Sequence, residues 1–184
     1  MAPIFTIGHS TRPIDEFVTL LRKSDVGCAV DIRAIPASRT NPQYNGAPLA
    51  HALRAVGIDY RHMPALGGRR GRRRDVDPDT NAFWSNASFH NYADYALSDE
   101  FRGALQSLRD VAHAKRSAIM CSEAVWWRCH RRIVTDYLIA GGETVFHIVS
   151  RDRVEPARMT EHAVRRLDGT LVYPPSSVGS PTRS

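Results

Sequence analysis

Residues 117–137 read Ser117-Ala-Ile-Met-Cys-Ser-Glu-Ala-Val-Trp-Trp-Arg-Cys-His-Arg-Arg-Ile-Val-Thr-Asp-Tyr137. The apolar run 118–120 predicts a buried strand, and apolar residues recur at helical spacing from Ile133 onward. A loop with polar and aromatic residues lies between these two segments. The stretch therefore predicts a strand, a short loop and the start of a helix, and the rest of the chain is interpreted around this unit.

The start of this predicted helix carries two adjacent positive charges. Arg131 and Arg132 in the first helical turn oppose the helix dipole, at a cost of about 0.3–1 kcal/mol each. Backbone N–H groups at a helix start and guanidinium groups both bind anions, so we expect the loop and the helix start to hold an anion together. The alternative is that both arginines are only solvated.

The other predicted elements alternate between strands and helices. Further strands are predicted at residues 5–8, 28–33, 58–63 and 144–150. Helices are predicted to start near Pro13, to cover 49–56 and 91–115, and to follow Cys129. This alternation is typical of β-α-β units. It predicts an α/β fold with three layers, in which a mainly parallel sheet of about five strands carries helices on both faces.

The C-terminal part of the chain and one internal segment are interpreted separately. A short helix is predicted near 159–166, followed by an edge strand at 171–173. Residues 1–173 are predicted to form a single α/β domain, and the Ser- and Pro-rich residues 174–184 to form a disordered tail. Five arginines within 69–74 predict a mobile basic loop.

Length and composition restrict the class of protein. With 184 residues and 42% hydrophobic composition, the chain can bury the core of one globular domain. The net charge of +6 favours nucleic acid or a phosphorylated small molecule as partner. The sequence shows neither a signal peptide nor an apolar run long enough for a membrane span, and its three cysteines are expected to be reduced. We therefore expect a cytoplasmic protein that does not bind membranes.

Polar residues follow each predicted strand. In open α/β sheets, ligands bind outside the carboxyl ends of the strands, so these residues are expected to share one pocket. The residues predicted to bind substrate are His9, Ser10, Asp31, Arg33, Ser38, Arg39, His62 and Arg131. Because Asp31 and Arg33 leave one strand on the same face, an ion pair that shapes the site is a more natural role for them than direct chemistry.

The residues predicted to be catalytic are Glu123, Cys129 and His130. A cysteine at a helix start beside cationic groups has a lowered pKa and can act as a nucleophile, although Cys129 can equally be a small buried thiol. Glu123 is either a general acid or base or the neutralising partner of an arginine. His130 and His147 are either catalytic or structural hydrogen-bond donors.

A metal site is not predicted. Cys121, Glu123, Cys129, His130 and the other histidines include suitable ligand types, but the spacing Cys-x7-Cys-His matches neither the close cysteine pair of structural zinc sites nor the haem attachment motif. The sequence assigns no cofactor.

Several separated motifs carry a resemblance to a known family. They are Thr6-Ile-Gly-His-Ser, Asp31-Ile-Arg with Pro36-x-Ser38-Arg39, Tyr60-x-His62-x-Pro64-x-Leu66-Gly67-Gly68, Cys121-x-Glu123, Cys129-His130-Arg131 and His147-Ile148. In this order they resemble the bacterial and archaeal family called domain of unknown function 488, over roughly residues 4–150. Where that family usually has a proline before its Cys-His-Arg, this chain has Val125-Trp-Trp. The resemblance implies a compact α/β domain with these motifs around one pocket, and it implies no reaction.

Two classes of function follow from these expectations. The leading hypothesis is a hydrolase or transferase that acts on a nucleotide or nucleic acid, with an anion site at the strand ends. The alternative is a non-catalytic module that binds nucleic acid or senses an anion through the same arginines. Whether the pocket is catalytic, which substrate it takes and how many chains assemble are not decided by the sequence.

Overall fold

Six strands form the central sheet in a computed structural model of the protein, which describes residues 2–176. They are β1 (Ile4–Gly8), β2 (Cys28–Asp31), β3 (Asp59–His62), β4 (Ser117–Cys121), β5 (Val145–Ser150) and β6 (Arg153–Pro156). Their order is β3-β2-β4-β1-β5-β6, and the first five run parallel. Every residue of β1, β2 and β4 is buried, because parallel strands inside a sheet are covered on both faces.

Five α-helices cover the two faces of the sheet. They are α1 (Ile14–Lys23), α2 (Gly46–Arg54), α3 (Ala87–Tyr95), α4 (Asp99–Ala114) and α5 (Arg131–Ala140). One apolar cluster contains Phe17 of α1 and Leu49 of α2, whereas a second contains Tyr92, Phe101 and Ile133 of the other three helices. The predicted three-layer α/β fold is therefore confirmed.

The predicted long helix at 91–115 was wrong, because the structure contains α3 and α4 instead. The Ser98 side chain accepts a hydrogen bond from the backbone N–H of Phe101, and Asp99 and Glu100 occupy the first turn of α4. A capped new start with acidic residues stabilises a separate helix. The signal Ser98-Asp-Glu is visible in the sequence, but the continuous apolar periodicity obscured it.

The C-terminal prediction was also wrong in part. No helix forms at 159–166 in the described chain; instead β7 (Val164–Arg165) pairs with β8 (Leu171–Val172) in a separate two-stranded sheet. Strand β6, which the sequence did not predict, adds antiparallel to β5 at the edge of the main sheet. The segment before β7 is held on α5, since the Asp136 carboxylate accepts a hydrogen bond from the Thr160 backbone N–H at 2.8 Å.

Two further expectations concern the ends of the chain and membranes. The predicted disordered tail falls mainly on residues 177–184, which lie outside the described residues. Among the helices of the described part, none has the length and apolar character needed to cross a bilayer.

Candidate functional site

The carboxyl ends of the central strands lie beside one another. In the register of the sheet Gly8 is opposite Cys121, and Asp31 is opposite both Met120 and His62. A pocket of about 280 Å³ lies next to these ends. Its charged lining residues are Arg33, Arg69, Arg128 and Glu123, its thiol and imidazole groups are Cys121, Cys129 and His130, and its apolar wall includes Ile35, Phe89 and Tyr92.

The loop between β4 and α5 brings the thiols and the carboxylate to this pocket. Strand β4 ends at Cys121, and a 3-10 turn at Trp126–Arg128 leads into α5. The Trp126 ring stacks on the buried His147 ring with centroids 4.2 Å apart, so this tryptophan anchors the loop on the sheet. Trp127 is 52% exposed.

Arg33 is held in place by a buried ion pair with Asp31. Its Nε donates to Asp31 Oδ1 at 2.9 Å and its Nη2 to Asp31 Oδ2 at 2.6 Å, and Tyr60 donates to the same carboxylate at 2.7 Å. A second Nη2 hydrogen bond at 2.6 Å reaches the Tyr44 carbonyl. The structure thus contains the ion pair that the sequence predicted, and it fixes the direction in which the Arg33 guanidinium enters the pocket.

His9 contacts the Arg33 guanidinium and helps to hold it in place. Burial, helped by the positive charge of Arg33, lowers the pKa of His9 to about 4, so the ring is neutral at neutral pH. Nδ1 donates to the Ser10 carbonyl at 2.8 Å, which leaves Nε2 to accept from Arg33 Nη1 at 3.3 Å. His9 therefore orients the guanidinium and is absent from the pocket wall.

Cys129 lies among donors that favour its thiolate. Arg131 Nε donates to Cys129 Sγ at 3.4 Å. The hydrogen bond from Cys121 and the charge of Arg131 lower the pKa of Cys129 to about 6 despite burial, whereas the same contact raises the pKa of Cys121 well above its ordinary value. Cys129 itself is only 4% exposed.

His130 has a defined tautomer. Its Nε2 lies 3.1 Å from the Ile32 carbonyl oxygen. Because a carbonyl oxygen can only accept a hydrogen bond, Nε2 carries the ring proton and donates it. Burial lowers the pKa of His130, so the ring is neutral and Nδ1 carries a lone pair. This Nδ1 lies 3.6 Å from Cys129 Sγ. Together with Cys121, the two residues place three ligand atoms within 4.8 Å of one another.

Arg131 does not face the pocket. The side chain is 1% exposed, and besides Cys129 its guanidinium donates through Nη2 to the Glu123 carbonyl. Arg131 thus holds the loop to α5, which differs from the predicted role in binding substrate. The Glu123 carboxylate itself is exposed on the pocket wall and accepts from the Val125 backbone N–H at 3.3 Å.

The remaining predicted substrate-binding residues lie away from the pocket lining. The Ser38 hydroxyl accepts from the Asn41 backbone N–H at 3.0 Å, and His62 Nε2 donates to the Arg33 carbonyl at 2.8 Å. Ser10 and Arg39 do not line the pocket either. Ser38 and His62 are thus placed to shape the loops around Arg33. Of the predicted site residues, Arg33, Glu123, Cys129 and His130 are the ones brought to the pocket wall, where Cys121 joins them.

Two pocket arginines were missed by the sequence analysis. Arg69 was assigned to the basic loop, and Arg128 was not singled out, although it directly precedes Cys129. Arg70 does not share the expected freedom of that loop, because it donates to the carbonyls of Gly67 at 2.9 Å and Pro64 at 3.0 Å. Its guanidinium also lies 3.7 Å from the centre of the Tyr95 ring. The neighbouring Arg69 lines the pocket.

Gly67 and Gly68 were too weak a signal to interpret in the sequence, but in the structure both lie where a side chain would not fit. A Cβ on Gly67 would lie 2.6 Å from the Ala34 backbone nitrogen, and one on Gly68 would lie 2.9 Å from His130 Nδ1. The absence of side chains lets this segment close one side of the pocket.

Comparison with known proteins gives one match. The model of the family described as "Domain of unknown function DUF488" matches residues 13–138, which is more than half of the chain. The matched range contains every residue named above as lining the pocket. No curated protein and no solved structure matches the chain.

Proposed function

The chain belongs to the DUF488 family, whose description names no reaction, and we propose that it is an enzyme, a hydrolase or transferase, acting on the phosphate of a nucleotide or nucleic acid. The observation that carries this proposal is the charge of the pocket. Arg33, Arg69 and Arg128 line it, and Glu123 is the carboxylate among its described lining residues. Of these three guanidinium groups only Arg33 has an ion-pair partner in the described chain, Asp31, so the charges of Arg69 and Arg128 at this small concave site favour an anionic ligand.

Arg33 is the best-positioned of these three groups. Of its five N–H groups, Nε, both on Nη2 and one on Nη1 have partners in the described chain. The remaining N–H on Nη1 has no partner in the described chain, and since Arg33 lines the pocket we assign this group to a phosphate oxygen. Because Asp31 and His9 already hold the side chain, binding would not require further ordering of it.

The size of the pocket and its surroundings favour a nucleotide. About 280 Å³ is just below the range for small-molecule sites, which begins near 300 Å³, so the pocket suits a small ligand. A phosphate with its sugar or base fits such a space, and the aromatic wall at Phe89 and Tyr92 offers a surface for a ring. Arg72 and Arg74 follow the pocket residue Arg69 in the same loop and are exposed, so they offer positive charges to a longer polyanion.

Glu123 and Cys129 supply the chemically active groups in this proposal. Glu123 is exposed on the wall and can accept or donate a proton to a substrate or water. Cys129 supplies a thiolate at the same wall, next to His130.

Binding of nucleoside monophosphates, measured by calorimetry, tests the anion site. Arg69→Gln and Arg128→Gln remove pocket charges without breaking the buried pair of Arg33, and each is expected to weaken binding about tenfold, the effect of one lost charge-assisted hydrogen bond. Arg151→Gln, an exposed arginine outside the pocket lining, is the control and should leave binding unchanged. Equal affinity for all variants would contradict the anion site.

Turnover tests the catalytic part. Nucleoside phosphates and short DNA and RNA oligonucleotides are incubated with the protein, and products are separated by chromatography. Glu123→Gln should lower the rate about 10²- to 10⁴-fold while binding persists, as expected when a general acid or base is lost. Binding without turnover on every member of this panel would instead favour the non-catalytic module.

A further inference from the structure

Cys121, Cys129 and His130 are close together in space although the loop separates them in sequence. Each offers one ligand atom, the three atoms lie within 4.8 Å of one another, and all three residues line the pocket. Cys129 and His130 are neighbours at the start of α5, whereas Cys121 is the last residue of β4. A strand end and a helix start thus converge on one point.

The spacing of these atoms suits a tetrahedral metal ion. Bonds of about 2.3 Å to sulfur and about 2.0 Å to nitrogen at tetrahedral angles separate two sulfurs by about 3.8 Å, and sulfur from nitrogen by about 3.6 Å. The Cys129 Sγ to His130 Nδ1 distance is 3.6 Å. This pair therefore already has the separation that a shared tetrahedral ion requires.

The surrounding groups orient the ligands as metal sites do. His130 Nε2 donates to the Ile32 carbonyl, which leaves Nδ1 free of a proton and directed toward the thiols. A backbone acceptor on the far nitrogen is the usual support of a metal-binding histidine. Arg131 Nε donates to Cys129 Sγ, an interaction that a metal-bound thiolate can keep. Gly68 leaves space beside Nδ1 that a Cβ would fill.

We propose that Cys121, Cys129 and His130 bind one zinc ion in the wall of the pocket, with its fourth coordination position open to the pocket. Two thiolates and one imidazole are soft and borderline ligands that favour zinc over magnesium or calcium. On binding, zinc forms two bonds to sulfur and one to Nδ1, and the thiol protons leave to solvent. The proposed function does not include a metal ion, so this inference goes beyond it. The two can be tested separately, because the zinc content of the protein is measured without any substrate.

An open fourth position distinguishes this site from a structural zinc site. Structural sites are closed by four protein ligands, whereas sites with three protein ligands keep a place for water or substrate. Arg33 and Glu123 line the same pocket, so a water or substrate in that place would share the pocket with them. The low exposure of Cys129, 4%, fits a metal ligand, and a bound zinc ion would take up the thiolate that the proposed function assigns to this residue.

Metal analysis of the untagged full chain, purified under reducing conditions, tests the proposal. The protein is stripped with a chelator, supplied with zinc, desalted and measured by mass spectrometry. About one zinc per chain is expected. Cys121→Ser, Cys129→Ser and His130→Gln should each lose most of it, whereas Cys28→Ala removes a buried cysteine outside the pocket and should keep it. A metal-free wild type with reduced thiols would overturn the site, and so would zinc retained in all three ligand variants.

Cobalt substitution gives a second test that does not depend on the folding of any variant. Cobalt(II) added to the stripped wild type should give thiolate-to-cobalt charge-transfer absorption and the visible bands of a tetrahedral ion. A spectrum without thiolate charge transfer would refute the ligand set. Prior oxidation of Cys121 and Cys129 to a disulfide should abolish cobalt uptake; uptake unchanged after that oxidation would also refute it.

Discussion

His147 shows what burial does to a single ionisable side chain in this protein. The ring lies on β5 with 1% exposure, stacks on Trp126, and places Nδ1 2.7 Å from the Thr6 hydroxyl oxygen. Burial lowers the pKa of His147 to about 4, so the ring is neutral near neutral pH. It is absent from the pocket lining, and its contacts favour the structural of the two roles that the sequence left open.

His147→Gln should make the protein less sensitive to acid. In the unfolded chain the pKa of His147 is about 6.5, so below pH 6.5 the unfolded state binds a proton that the folded state excludes until the pH falls toward 4. The free energy of unfolding of the wild type should therefore fall by about 2 kcal/mol between about pH 7 and about pH 4.5 because of this histidine. The variant has no histidine at this position and should not show this decrease. Urea unfolding at both pH values measures the difference. His51→Gln, an exposed histidine of α2, is the control, and equal acid sensitivity of all three proteins would contradict this account.

At the scale of elements, the end of β1 and the loop after β4 form one packed junction. The backbone N–H groups of His9 and Ser10 donate to the carbonyls of Cys121 and Ser122, both at 2.9 Å. A Cβ on Gly8 would lie 2.0 Å from the Glu123 carbonyl oxygen, the same atom that accepts from Arg131. The position of the loop, and with it one wall of the pocket, therefore depends on a glycine in a neighbouring strand.

Gly8→Ala should destabilise the protein by about 1–3 kcal/mol, because the new methyl group forces backbone atoms apart in a packed region. Gly103→Ala is the matched control. Gly103 lies within α4 with no atom near the added methyl group, so the same substitution should stabilise the protein by about 0.5–1 kcal/mol through helix propensity. Urea unfolding compares the two variants. A Gly8→Ala variant at least as stable as the wild type would show that the junction does not require a glycine.

At the scale of the whole molecule, the chain carries a net charge of +6, and five of its arginines fall within residues 69–74. Arg69 lines the pocket, whereas Arg72 and Arg74 are exposed and are not part of its lining. Arg70 and Arg73 are instead engaged, with backbone carbonyls and with Asp75 respectively. The basic loop thus offers fewer available charges than its five arginines suggest.

Replacing Arg72 and Arg74 with alanine should weaken binding to single-stranded DNA and flatten its salt dependence. For single strands log K falls with log[salt] by about 0.7 per phosphate neutralised, so losing two contacts should reduce the slope by about 1.4. Fluorescence anisotropy over a range of salt concentrations measures the slope. The control is a double variant in which Arg165 and Arg166 are replaced with alanine. It loses the same amount of charge at exposed positions outside the pocket. An equal change in both double variants would indicate a general effect of charge, not a specific surface.

Hydrophobic periodicity and turn residues are local properties of the sequence. The sequence alone therefore determined the elements and the fold class that depend on these local properties. It located the five parallel strands, the helix starts near Pro13 and after Cys129, and the three-layer α/β class. It also placed polar residues at the strand ends. Strand β8 lies within the edge strand predicted at 171–173, whereas β6 and β7 lack a clear apolar alternation and form by pairing with a partner strand, so local patterns did not predict them.

The arrangement of the pocket was decided only by the tertiary structure. The predicted anion-binding Arg131 turns inward because Cys129 and the Glu123 carbonyl offer it partners, whereas Arg69, distant in sequence, reaches the pocket. The spacing Cys-x7-Cys-His gave no metal signal, since the ligand atoms meet only when the end of β4 and the start of α5 are packed side by side. Which side chains face a ligand depends on contacts between distant segments, and no local pattern in the sequence encodes those contacts.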